Sequence, residues 1–157
     1  MSNKAAFYTE ITQMALGLID GEPDLIANLA NISALLNEHL DDLNWVGFYL
    51  LQGDTLVLGP FQGKAACVRI EVGKGVCGTA VAQKATQRVD DVHAFPGHIA
   101  CDGASNAEIV VPLVVNGAII GVLDIDSPSF SRFDADDEAG LNAFVKALGD
   151  ALSNTGK

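Results

Sequence analysis

No apolar run in these 157 residues reaches the roughly 18 needed to cross a bilayer. The opening Met1-Ser2-Asn3-Lys4 carries no signal-peptide core. A membrane-spanning or exported protein is therefore not expected, and the chain reads as soluble and cytoplasmic. Basic residues are scarce: nine Lys and Arg stand against twenty Asp and Glu, a net charge of −11. That balance repels nucleic acid and anionic membrane surfaces, so neither is expected as a main partner. Cysteine is sparse too, at three residues, Cys67, Cys77 and Cys101. An odd count without a secretion signal is no disulfide framework, and the absence of a Cys-x-x-Cys pair excludes zinc-ribbon and thioredoxin-type signatures. Taken singly, each cysteine reads as a small buried hydrophobe. Internal repeats, low-complexity tracts and linkers are missing as well. What is present is globular composition, 49% hydrophobic and 18% charged. The length suits one domain over residues 1–157, large enough to bury roughly 68–70% of the unfolded chain's surface.

Periodicity sets the coarse order of elements. Ala6, Ile11, Met14, Ala15, Leu18 and Ile19 follow helical spacing until Gly21-Glu22-Pro23 interrupts it. Pro23 suits the first turn of a second helix, whose apolar stripe runs from Leu25 through Leu36 and ends near His39. Residues 44–51 (NWVGFYLL) change to a strand pattern, Gly53-Asp54 turns the chain into a strand over 55–58, and residues 68–72 alternate as a half-buried strand does. Strands over 108–115 and 118–126 flank Asn116-Gly117, the strongest short hairpin signal in the chain. A last helix is expected over about 134–152, with Asp136, Asp137 and Glu138 complementing the dipole at its start. Hairpin-linked strands with helices at the two chain ends predict an α+β domain, an antiparallel sheet with the helices on one face. Residues 89–107 lack periodicity and are rich in Asp, His, Gly and Cys, the texture of a functional or poorly ordered loop.

Side-chain parity locates the chemistry. Trp45, Gly47 and Tyr49 share one strand face, and the missing side chain at Gly47 predicts a hollow between two rings. Asp124 and Asp126 share a face with Ile120 and Val122, and Glu108 begins the partner strand, so the hairpin brings three acids together at its open end. Such acids either form a solvated rim or, if buried, repel one another, raise at least one pKa and attract a cation. Cys77 follows Gly73-Lys74-Gly75-Val76 near the start of a short helix. A helix N-terminus favours thiolate, which nominates Cys77 first as nucleophile. The glycine spacing there fits neither a Walker A loop nor a dinucleotide fingerprint. Cys101 lies in the polar loop, seven residues before Glu108. A metal site from His98, Cys101, Cys67 and Cys77 lacks tight ligand pairs, and none is expected.

Together these residues resemble the free methionine-(R)-sulfoxide reductases, a family built on a stand-alone GAF domain. The resemblance runs over about residues 5–153. It rests on Asn44-Trp45-x-Gly47-Phe48-Tyr49, the three cysteine spacings, His98-Ile99-Ala100-Cys101-Asp102, Ser105-Asn106-x-Glu108-Ile109-Val110-Val111-Pro112 and Gly121-Val122-Leu123-Asp124-Ile125-Asp126-Ser127. Ala107 stands where relatives often carry Ser, and by parity it points away from Glu108.

The resemblance implies a GAF-like fold and a cysteine reductase with no cofactor. Cys101 would attack the sulfoxide sulfur and become a sulfenic acid. Cys67 would resolve it as a disulfide, Cys77 would be an auxiliary partner, and thioredoxin would reduce the product. Trp45 and Tyr49 would line the methyl and thioether pocket, while Glu108, Asp124 and Asp126 would hold the ammonium group and polarise the sulfoxide oxygen. A homodimer is expected from family habit alone. The chemistry is consistent, because a sulfoxide sulfur is electrophilic only when its oxygen is protonated or strongly hydrogen-bonded. The electrostatic nomination of Cys77 conflicts with the family's Cys101, and the resemblance is followed because it covers many more residues. Two other readings carry their own signatures: a non-catalytic GAF module binding a cyclic-nucleotide-type ligand, or a redox-sensing module whose cysteines switch a partner surface.

Overall fold

The computed structural model describes residues 3–98 and 103–155. Helix α1 (Asn3–Ile19) buries Tyr8, Ile11, Ala15 and Ile19 along one stripe. Helix α2 (Leu25–His39) starts two residues later than Pro23 suggests. Asp24 is its N-cap, with the carboxylate accepting from Ala27 N at 2.8 Å. A side-chain oxygen that satisfies an orphan N–H defines the start better than a preset φ does, so Pro23 lies just outside the helix. Helix α4 (Ala135–Thr155) opens on a reciprocal cap: Asp137 N donates to Asp134 Oδ1 and Asp134 N to Asp137 Oδ2, both at 3.0 Å. Lys4 bridges the same two carboxylates, and Tyr8 Oη donates to Asp137 Oδ1 at 2.7 Å. Buried Asp137 thereby ties α1 to the start of α4, a charge-assisted contact worth about 1.5–3 kcal/mol.

Six antiparallel strands form one sheet in the order β3-β2-β1-β6-β5-β4. They are β1 (Trp45–Gln52), β2 (Thr55–Gly63), β3 (Arg69–Glu71), β4 (Gln87–Val89), β5 (Ala107–Val115) and β6 (Ala118–Ser127). The predicted antiparallel α+β plan is observed. Strand β2 runs five residues beyond the expected 55–58 because a bulge at its Gly47–Tyr49 crossing absorbs Gly59 and Pro60. The three-residue β4 is too short to show a period, and it pairs with Glu108–Val110 only. Pro112, which has no N–H to donate, lies where that pairing has ended.

The sheet is covered on both faces. Val46, Phe48, Ile109, Val111, Leu113, Leu123 and Ile125 pack against α1, α2 and α4, as expected for helices from both chain ends. Trp45, Tyr49, Val110 and Val122 face the other way and pack with Leu56, Ile70 and a short helix α3 (Gly75–Gln83). One parity assignment is corrected. A bulge pairs Val114 with Ile119 and Leu113 with Gly121, so Ile120 joins the helical face and Ile119 the α3 face. The extra residue resets the alternation before Val122, and Asp124 and Asp126 keep their predicted face.

Candidate active site

The site is built first by strand register. Glu108 lies directly opposite Asp126, and Val110 opposite Asp124, across β5 and β6. Trp45 lies opposite Asp126, Gly47 opposite Asp124 and Tyr49 opposite Val122 across β1 and β6. Five chemically distinctive residues therefore occupy adjoining positions on one sheet face. Glu108, Asp124 and Asp126 keep only 7%, 5% and 8% of their surface exposed, which rules out the solvated-rim alternative. Burial, then the neighbouring Asp124 and Asp126 charges, hold the Glu108 carboxyl well above the ordinary carboxylate range. Burial also raises Asp124, and contacts with Glu108, Cys77 and Asp126 pull it part of the way back. Asp124 Oδ1 is buried with no hydrogen-bond partner among the described residues, a costly arrangement that an incoming donor relieves.

Helix α3 closes the cavity from the opposite side. Gly78 allows this approach, since a Cβ there would collide with the Glu71 carbonyl. Val76, Ala80 and Val81 pack onto the sheet, and Cys77 is brought against the acids, with Sγ donating to Glu108 Oε2 at 4.0 Å. Ligand atoms of Cys77, Glu108 and Asp124 all lie within 4.8 Å of one another, spacing that suits a small cation or an ammonium group. The expectation of a thiolate at Cys77 is overturned. Burial, followed by the charges of Asp124, Glu108 and Asp126, pushes the Cys77 thiol well above its usual range. Desolvation and three nearby acids outweigh the partial charge of a nine-residue helix.

The predicted hollow beside Gly47 is also corrected. A Cβ on Gly47 would collide with the Cβ and backbone of Phe61 and with the Pro60 carbonyl, so β2 itself fills that space, and the Phe61 ring stacks on Trp45 at a centroid distance of 5.1 Å. Trp45 stacks in turn near Tyr49, at 5.9 Å. Both rings also hold the segment that connects β2 to β3. Trp45 Nε1 donates to Lys64 O at 3.1 Å and Tyr49 Oη to Cys67 O at 2.8 Å. Cys67 is half-buried and disulfide-bonded, whereas Cys77 is a free thiol. Cys101 lies outside the described residues. Its loop is anchored on either side by a 3-10 turn (Val92–Ala94), by Val92 N donating to Asn106 O, and by Asn44 Nδ2 donating to Ser105 Oγ at 3.0 Å. One lining residue escaped the assignment of roles from sequence: His98 contributes to the wall of the same cavity as Trp45, Cys77 and the acids. Its place in the polar loop was the available signal, but loop residues carry no parity to show direction.

Comparison with known proteins gives the family. Residues 27–153 match the family model described as GAF domain. Over 153 residues the chain is 61% identical to a free methionine-R-sulfoxide reductase of Escherichia coli (strain K12), covering 98% of this chain and 93% of that protein. The chain belongs to the free methionine-(R)-sulfoxide reductase family. Solved structures agree with this membership. A reductase of this name from Neisseria meningitidis, in complex with its substrate, superposes with a TM-score of 0.92 at 46% identity, covering 99% of this chain and 93% of that one. A Staphylococcus aureus homologue, also in complex with substrate, gives 0.88 at 56% identity, covering 92% and 95%. The GAF fold expected from the family resemblance is thus the fold observed.

Proposed function

We propose that this enzyme, a free methionine-(R)-sulfoxide reductase, works through a Cys101 sulfenic acid, a Cys67–Cys101 disulfide and reduction by thioredoxin. The observation that carries this reading is the assembly of three buried acids in a cavity whose aromatic wall holds the β2–β3 connection, which bears a disulfide-bonded Cys67. The sulfoxide oxygen is placed toward Glu108, whose pKa burial and the neighbouring acids raise, which favours the protonated form that can donate to it. Cys101 Sγ attacks the sulfoxide sulfur to form a transient sulfur–sulfur bond, and the protonated oxygen then moves to Cys101 Sγ as that bond and the S–O bond to methionine both break. Methionine leaves with the electron pair that reduces it. Cys67 then attacks the Cys101 sulfur, a disulfide forms and water departs. Thioredoxin returns two electrons and two protons by thiol–disulfide exchange.

The acids account for the preference for a free amino acid. Asp124 and Asp126 accept the ammonium group, which a methionine residue inside a protein does not have. Trp45 and Tyr49 pack the methyl and thioether end. Cys77, held as a thiol beside Glu108, is a proton-bearing neighbour and an auxiliary redox partner, not the first nucleophile. Single-turnover methionine release tests the reading: Cys101→Ser releases none, while Cys67→Ser releases one equivalent and stops. Full turnover by Cys101→Ser would remove Cys101 from its role.

A further inference from the structure

The substrate of the proposed reaction is a zwitterion: Asp124 and Asp126 account for its positive end and Glu108 for its sulfoxide oxygen. Its carboxylate enters the same cavity, where the aspartates repel it. It therefore needs a donor placed away from those strands. Among the described residues that line the cavity, His98 is the sole side chain able to carry a positive charge. The other N–H and O–H donors on the aromatic wall are committed, Trp45 to Lys64 O and Tyr49 to Cys67 O.

His98 is half-buried, and its backbone N–H is held by Phe95 O at 3.2 Å. Its ring lies edge-on to His93 at a centroid distance of 6.4 Å, and His93 Nδ1 is paired with Asp91 Oδ1 at 2.9 Å. Burial, followed by the neighbouring His93 charge, lowers the His98 pKa and favours its neutral N–H form. We infer that His98 binds the α-carboxylate of the substrate, so that the cavity reads both charged ends of a free amino acid. This inference rests on the proposed reaction. An imidazole N–H donates to a carboxylate whether the ring is neutral or protonated, and a hydrogen bond of this kind to a charged group changes affinity about tenfold to a hundredfold.

A substrate-by-variant cycle tests it. Steady-state kinetics are measured on free L-methionine-(R)-sulfoxide and on its carboxamide, which keeps the ammonium group and lacks the carboxylate. His98→Ala is expected to lower kcat/KM on the free amino acid about tenfold or more, through KM, and to change the carboxamide about twofold or less. His98→Gln, which keeps an N–H donor, recovers part of the loss on the free substrate alone. Equal losses on both substrates would assign His98 a structural role and overturn the inference, as would no loss on either. Wild-type turnover of the free substrate is measured first. Its absence refutes the parent reaction and this inference together, whereas its presence with an unselective His98→Ala refutes this inference alone.

Discussion

Replacing Glu108 with Gln should make the protein more stable and much less active. Glu108 and Asp124 present oxygens within 4.8 Å of each other, both in a buried site. Two full charges at that separation repel by about 3 kcal/mol at an effective dielectric of about 20. Glutamine preserves the shape, removes one ionisable member and offers an NH2 donor to the remaining acids. Because the native cluster stays partly protonated, the expected gain is about 1–3 kcal/mol. In a domain of this size that raises Tm by about 3–10 °C. The sign with pH follows from linkage. Glu108 titrates above its ordinary value of 4.5 in the fold, so between those two values the folded protein binds more protons than the unfolded chain. Native stability is therefore full below that window and falls as pH rises through it. Glu108→Gln lacks this loss, and its advantage grows with pH across the window and then levels off. Calorimetric unfolding of both proteins, reduced with dithiothreitol, at pH values on either side of the window measures the gap. Activity at neutral pH should drop by about a hundredfold or more, the usual contribution of a positioned acid. A variant less stable than wild type by the same amount at every pH would refute the buried-repulsion reasoning.

Cys77 should resist alkylation. With the protein reduced, iodoacetamide followed by peptide mass mapping should modify Cys67 ahead of Cys77, which reacts only after denaturation, because burial and the adjacent acids keep it a thiol. Rapid labelling of native Cys77 would show that the acids do not govern it. Gly47→Ala should lower stability by about 1–3 kcal/mol, since its Cβ meets the backbone of Pro60 and Phe61 and pushes β2, with the Phe61 ring stacked on Trp45, away from β1. The same variant should raise KM for the sulfoxide, a pairing read from thermal unfolding and steady-state kinetics together.

The acids were legible because strands alternate and hairpins set register. Asn116-Gly117 and the parity of 118–126 place Asp124 and Asp126 on one face and Glu108 beside them. The same alternation separated Val46 and Phe48 on one side from Trp45 and Tyr49 on the other, but did not show the second packed layer that α3 forms over the Trp45 face. Tertiary effects were not legible. Bulges near Gly47 and Ile120 reset parity without a sequence mark strong enough to predict them. The space beside Gly47 is filled by a residue fourteen positions away in sequence, Phe61. Local helix electrostatics favoured a Cys77 thiolate, but the acids that reverse this belong to strands thirty or more residues distant. His98 sits in a loop whose side-chain directions depend on contacts rather than on a repeat.

The central claim is that Cys101 takes the sulfoxide oxygen and Cys67 then removes it. Its most direct measurement is the intact mass and peptide map of Cys67→Ser after one exposure to free L-methionine-(R)-sulfoxide, with a sulfenic-acid trap such as dimedone present. The account predicts one equivalent of methionine and one adduct per chain, located on Cys101. Methionine release with the adduct on Cys77, or with no adduct on any cysteine, would contradict it.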